Sequence, residues 1–351
     1  MRIALDATYS IDARPSGIAI YSRELMAGLA ARERDHQFLH CYRPKQWRNA
    51  PRPLASNVRN RLLLPPLRTF SADIYHALNQ RVDKRPTKRV ISTFHDLFVM
   101  TGDYSTPEFR QRFTEQARAA ARLSDLIIAV SAFTARQVEE LLGVERSRIR
   151  IVPHGVHPPA TEPVVPRERM ILFVGALQRR KNVERLIAAM DGLPADWRLV
   201  LAGSPSGFQA DRILEQIAQS GRREQITVTG YVPSSELEQL YWRASIFAFP
   251  SLDEGFGIPV IEAMAHGLPV VTSNRSALAE VAGAAALQVN PEDQEAITAS
   301  LSRLIDDASL RKELGKAGRT HAARFSWEKS VRETWAVYSE LSGRGRSPDY
   351  F

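Results

Sequence analysis

The sequence predicts an α/β protein built on two doubly wound parallel sheets. Three observations carry this expectation. The chain has 351 residues, more than a single hydrophobic core usually organises, so two domains are expected. Short apolar runs rich in Val and Ile recur along it with helical stretches between them, as buried parallel strands and their crossover helices require. A proline-rich stretch, HGVHPPATEPVVPRER at residues 154 to 169, interrupts this rhythm near the middle.

The elements follow in order. In the first half the strand candidates are RIALD, QFLHCY, DIYHA, VISTFH, DLIIAV and IRIVP. In the second they are MILFVG, RLVLAG, ITVTG, SIFAFP, LPVVT and AALQV. Their apolar residues fall on both parities, which suits strands covered by helices on both faces. The expected domains are residues 1–163 and 164–326. A last helix, 327–342, has no strand after it and is expected to cross back onto the first domain. The C-terminal GRGRSPDYF reads as a frayed tail.

Composition narrows the class. Hydrophobic residues make up 44% and charged residues 25%, the balance of an ordinary globular chain. Cys41 stands alone and no Cys/His spacing suits zinc, so a reducing cytoplasm is expected. No apolar run approaches the ~20 residues of a membrane span. The net charge of +8 is concentrated between Arg43 and Arg89, where twelve Lys/Arg meet only Asp73 and Asp83. Such a segment is either a solvated face or, with leucines among arginines in NVRNRLLLPPLRTF, a contact for an anionic membrane surface. Nucleic acid is not expected, since aromatic interleaving and a reading module are both absent.

Ligands of open α/β sheets bind where strands end and helices begin. After MILFVG, the loop ALQRRKN sets Arg179, Arg180 and Lys181 ahead of the run NVERLIAAM. Cations there do not help a helix N-terminus, so they are explained either by a bound phosphate or by solvent. After SIFAFP comes DEGFGIPVIEAMAHG. Gly255 and Gly257 permit positive φ, Pro259 suits a helix start, and Glu262 is expected in the first helical turn. The glycine loop would bring Glu254 and Glu262 to one cleft together with the amides of Phe256, Gly257 and Ile258. In the first half Gly17 opens a helix, and His95 closes a strand either as a structural histidine or as one pointing into an interdomain cleft. Ser131 reads as a helix cap rather than a nucleophile. No G-x-G-x-x-G follows any strand, which argues against a nicotinamide or flavin cofactor.

Taken together these loops resemble glycosyltransferase family 4, the retaining nucleotide-sugar enzymes of the GT-B fold. The resemblance covers nearly the whole chain. It rests on Glu254 and Glu262 in PSLDEGFGIPVIEAMAHGLPVVTSN, with FHDL, VSAFT, VPHGV, VGALQRRKN, GYVPSSEL and FSWEKS in order along the sequence. The resemblance implies that Glu262 bonds the ribose of the donor nucleotide. Glu254 and the amides of residues 255 to 258 would hold the transferred sugar and its phosphate, and Arg180 and Lys181 the diphosphate. His95 would bond a sugar hydroxyl, Gly17 and Gly175 would let backbone approach the phosphates, and the backbone at Tyr231 and Val232 would lie near the base.

The expected activity is therefore retaining transfer of a hexose, mannose slightly favoured, from GDP-mannose or another nucleotide diphosphate sugar. The acceptor would be a glycan or lipid-linked precursor in polysaccharide assembly, reached in the cytoplasm or at the inner face of the membrane. No Asp-x-Asp pair is present, so no metal and no cofactor are expected. A nucleotide-sugar epimerase and a non-catalytic nucleotide-sugar binding protein are the alternatives.

Overall fold

The computed structural model describes residues 1–12, 16–63, 71–159 and 166–343. The chain divides into two compact units. The first contains Met1–Thr101, Thr106–Gly155 and the described residues from Ser326, and the second contains Gly102–Ser105 and Val156–Phe325. The expected boundary at 163/164 lies outside the described residues, as do the second half of NVRNRLLLPPLRTF and nearly all of the C-terminal tail.

The N-terminal unit holds β1 (Arg2–Asp6), β2 (Gln37–Tyr42), β3 (Val58–Leu62), β4 (Ile74–Ala77), β5 (Val90–Phe94), β6 (Leu126–Ala129) and β7 (Ile149–Ile151). They form one parallel sheet in the order β3-β2-β1-β4-β5-β6-β7. Six of these strands are the six apolar runs. The seventh, β3, falls within the basic segment read above only as a possible surface contact. It is an edge strand in which Val58 is buried while Arg59 and Arg61 are exposed. An edge strand covered on one face alternates apolar with charged residues, so β3 shows no continuous apolar run.

Helices cover both faces of this sheet. On one, Tyr21, Leu25 and Leu29 of helix Gly17–Arg32 pack with Val331, Val337 and Tyr338 of helix Trp327–Leu341. A methyl group on Gly28 would lie 2.5 Å from Val331, which sets how closely the two helices approach. Ser326 caps the last helix by accepting from the Lys329 amide at 3.1 Å. On the other face, Ala117, Ala120 and Ala121 of helix Pro107–Leu123 pack with Val138 of helix Ala132–Leu142. Ser131 caps that second helix, accepting from the Thr134 amide at 3.0 Å.

The C-terminal unit holds β8 (Met170–Val174), β9 (Arg198–Ala202), β10 (Ile226–Gly230), β11 (Ile246–Phe249), β12 (Val270–Ser273) and β13 (Leu287–Val289). All pair in parallel, in the order β10-β9-β8-β11-β12-β13. This is the Rossmann order, built outward in both directions from the first strand. Its direction of winding reverses between β8 and β11, which are hydrogen-bonded neighbours. The loops that leave the carboxyl ends of these two strands therefore flank the crevice where doubly wound sheets bind ligands. They are the loops that carry Arg180, Lys181 and Glu254.

Candidate active site

The loop after β8 begins at Gly175, whose φ is +152°. It tightens into a turn of 3-10 helix over Arg179–Lys181 and passes through Asn182 at φ +58° before helix Val183–Ala189. Asn tolerates the left-handed region better than most residues. Here its side-chain amide also donates to the carbonyls of Pro250 at 2.9 Å and Pro291 at 2.6 Å. The Leu252 amide donates back to the Arg180 carbonyl at 2.8 Å. The bonds involving Pro250 and Leu252 lace the loop after β8 to the loop after β11, with 68 residues between Asn182 and Pro250, and the bond to Pro291 ties it to the segment after β13.

Of the three cations Arg179 is exposed, whereas Arg180 and Lys181 are not solvated. Arg180, Lys181 and Glu254 are 7%, 9% and 7% exposed. The Lys181 ammonium donates to Glu254 Oε1 at 2.6 Å, and the Arg180 guanidinium lies 2.8 Å from the same oxygen. Arg180 also donates to the Asp253 carbonyl. Lys181 stands over the Phe249 ring at 4.6 Å, a cation–π contact that favours its charged form. Burial pushes the Glu254 carboxyl up, but Arg180 and Lys181 outweigh it and bring the group down to about 2. Glu254 is thus ionised at any physiological pH and is not a proton donor. Two cations around one carboxylate leave the cluster with one net positive charge in a site of low dielectric, where a bound anion would be strongly favoured.

The loop after β11 closes on Gly257, at φ +99°. A side chain there would combine the strain of the left-handed region with a Cβ 2.4 Å from the buried Leu278 Cδ2. Gly255, Phe256 and Gly257 are buried, and Phe256 packs edge to face on Phe325 with ring centroids 5.7 Å apart. The helix that follows is Ile258–Ala265, so Pro259 is its second residue and its first turn contains no acid. This corrects the expectation for Glu262, which lies in the second turn. Its placement owes nothing to the helix dipole, whose effect fades within one turn. Glu262 is held instead by the Tyr241 hydroxyl, which donates to Oε2 at 2.9 Å. Burial raises its carboxyl above the ordinary glutamate range, and the Tyr241 bond and His157 only partly offset this.

Glycine ends three neighbouring strands of this sheet. Besides Gly175, these are Gly203 after β9 and Gly230 at the end of β10. A Cβ on Gly203 would lie 2.0 Å from the Gly175 carbonyl oxygen, and its amide donates to the Gly230 carbonyl at 2.9 Å. Gly203 and Asn182 were not among the expected site residues. The repeated strand-then-Gly pattern of LFVG, VLAG and TVTG is the signal that could have found Gly203. Tyr231 and Val232 follow β10, with Tyr231 37% exposed.

His95 belongs to the N-terminal unit and is engaged there. Its Nε2 bonds the Leu78 carbonyl at 2.9 Å, its Nδ1 lies 3.4 Å from His154 Nε2, and its ring meets Tyr21 edge to face. Burial lowers it to about 4, so the ring is neutral near pH 7. Gly17 is the first residue of its helix, capped by the Ser16 hydroxyl, which accepts from the Ala19 amide at 3.3 Å.

Comparison with known proteins identifies the family and the fold. The profile described as Glycosyltransferase Family 4 matches residues 15–158, and that described as Glycosyl transferases group 1 matches residues 160–321. The O-antigen chain mannosyltransferase B of Escherichia coli is 33% identical over 293 residues, covering 78% of this chain and 76% of that protein. A D-inositol 3-phosphate glycosyltransferase of Nocardia farcinica is 30% identical, covering 74% of this chain and 61% of that protein. Among solved structures, a sucrose-phosphate synthase of Thermosynechococcus elongatus superposes with a TM-score of 0.81 at 22% identity, covering 98% of this chain and 100% of that one. The fold is GT-B, and with both halves matched in order and a relative one-third identical over most of its length, the protein belongs to glycosyltransferase family 4.

Proposed function

We propose that this glycosyltransferase moves a hexose, mannose in the first instance, from a nucleotide diphosphate sugar to a glycan or lipid-linked acceptor in polysaccharide assembly. The buried Arg180–Glu254–Lys181 cluster at the reversal of the C-terminal sheet carries the proposal. Glycosyl transfer builds negative charge on the departing diphosphate and positive charge on the anomeric carbon. Two fixed cations in a water-poor crevice stabilise that leaving group without reorganising, an effect often worth several kcal/mol. The name of the Escherichia coli relative supports mannose.

The remaining roles are those the family resemblance implies. Glu254 holds both cations in place and offers its carboxylate to hydroxyls of the transferred sugar. Gly175 and residues Gly255 to Ile258 bring backbone to the sugar phosphate. Glu262, with one oxygen bonded to Tyr241, offers the other to the ribose, and the backbone at Tyr231 and Val232 faces the base. His95 acts as a neutral hydrogen-bonding group and Gly17 as a point of close backbone approach. Glu254, ionised and tied to both cations, serves neither as a proton donor nor as the nucleophile. The leaving phosphate oxygen takes the acceptor's proton as attack occurs on the same face, which retains the anomeric configuration.

Transfer is proposed to occur in the cytoplasm at the inner face of the membrane, with the basic segment 43–89 against anionic lipid. Among the described residues no helix is long and apolar enough to cross a membrane. A thermal-shift series with GDP-mannose, UDP-glucose and other nucleotide sugars tests the donor, because a ligand that binds only the native state raises the melting temperature. GDP-mannose should give the largest shift, and a larger shift with another sugar would overturn the mannose assignment. Full transfer after exhaustive chelation is expected, and recovery only on adding a divalent ion would contradict metal independence.

A further inference from the structure

In the N-terminal unit full helices join β1 to β2 (Gly17–Arg32), β5 to β6 (Pro107–Leu123) and β6 to β7 (Ala132–Leu142). The crossover from β2 to β3 lacks one. It spans residues 43 to 57, and its one helix is the four-residue Pro44–Trp47. Pro51 and Pro53 prevent a longer one. A parallel crossover normally lays a helix on the sheet. Here the sheet face beside helix Gly17–Arg32 is left instead with a cavity of about 670 Å³, walled by Ala27, Ala30 and Ala31 of that helix, Leu54 of the crossover and Val58 of β3. This volume is in the usual range of ligand pockets.

The crossover is also charged and greasy at its surface. Arg43 is ion-paired with Asp83 and Asp6, but Lys45, Arg48 and Arg52 have no acidic residue among residues 43 to 57, and Arg52 lines the cavity itself. Trp47 is 39% exposed and Leu54 fully so. An apolar cavity suits a hydrocarbon chain better than a sugar. An excess of cations beside an exposed Trp suits a phosphate head group at a bilayer surface.

We propose that this cavity takes one acyl chain of an anionic membrane phospholipid, with the lipid phosphate at Arg48 and Arg52. The inference rests on the membrane association proposed above and gives it a binding site. A single inserted chain or a basic patch binds a membrane only weakly, whereas the two together hold stably.

The test uses the full chain and vesicles of phosphatidylcholine with or without phosphatidylglycerol carrying a photoreactive group near the end of one acyl chain. Crosslinks are expected on Ala27, Ala31 or residues 51 to 58. Ala27→Gln with Ala31→Gln fills the cavity from exposed, helix-compatible positions. This pair should weaken sedimentation with phosphatidylglycerol vesicles roughly tenfold, the equivalent of about two methylenes withheld from burial. Its circular dichroism and nucleotide-sugar thermal shift should match the wild type. Arg48→Glu with Arg52→Glu should abolish sedimentation. If the arginine pair abolishes binding while the glutamine pair does not and crosslinks fall outside the cavity, membrane association stands and the cavity proposal is overturned. If the wild type ignores phosphatidylglycerol vesicles altogether, both fail.

Discussion

Replacing Glu254 by glutamine keeps the shape of the side chain and removes its charge, leaving Arg180 and Lys181 buried without their counter-ion. The carboxyl sits at about 2 rather than the ordinary 4.5, a difference equivalent to about 3 kcal/mol in favour of the ionised form. Breaking a buried ion pair from one side typically costs a similar ~3–5 kcal/mol. Glu254→Gln should therefore destabilise the C-terminal unit by about 3 kcal/mol near neutral pH. With a urea slope of about 2 kcal/mol per molar, the midpoint should fall by roughly 1.5 M. The sign of the pH dependence is fixed by the lowered carboxyl. Its contribution is complete above about 4.5 and is lost as pH falls toward 2, so wild type and variant should converge in acid. Lys181→Met added to Glu254→Gln should cost less than the sum of the two single changes, because they share one interaction. A midpoint shift below about 0.3 M, or strict additivity, would refute the claim that this cluster is an electrostatically coupled unit.

Two further predictions concern backbone and histidines. Gly257→Ala should destabilise by about 1–3 kcal/mol through left-handed strain and the approach to Leu278, measurable as a lowered melting temperature, and an unchanged one would contradict the geometry. His76 and His95 are held neutral by burial, at about 3 and about 4 against an ordinary 6.5. The unfolded chain takes up protons that the folded chain refuses, so N-terminal stability should fall as pH drops from 6.5 toward 4. The slope should approach about 1.4 kcal/mol per pH unit for each histidine. Urea midpoints that stay level between pH 7 and pH 5 would count against it.

The strands buried on both faces were legible as apolar runs, because burial on two sides leaves no room for polar residues. β3 was not, since Arg59 and Arg61 alternate with its inward residues. The types of the site residues were also legible, but their mutual arrangement was not. That Arg180 and Lys181 pair with Glu254 depends on β8 and β11 being neighbours, a property of sheet order that no local pattern displays. Asn182 looked like the start of a helix, whereas its left-handed backbone and its bonds to the carbonyls of Pro250 after β11 and Pro291 after β13 make it a clasp among three loops. Glu262 fell just outside the first turn because the helix starts one residue before Pro259, at Ile258.

On the function proposed, the buried cations stabilise a departing nucleoside diphosphate. The most direct test is the rate of glycosyl transfer by wild type and Lys181→Ala at saturating nucleotide sugar, with an acceptor identified by product formation. Lys181→Ala should lower kcat by roughly 10²–10³, the loss typical of removing one preorganised charge-stabilising donor, with circular dichroism unchanged. A Lys181→Ala enzyme that turns over at the wild-type rate would contradict it.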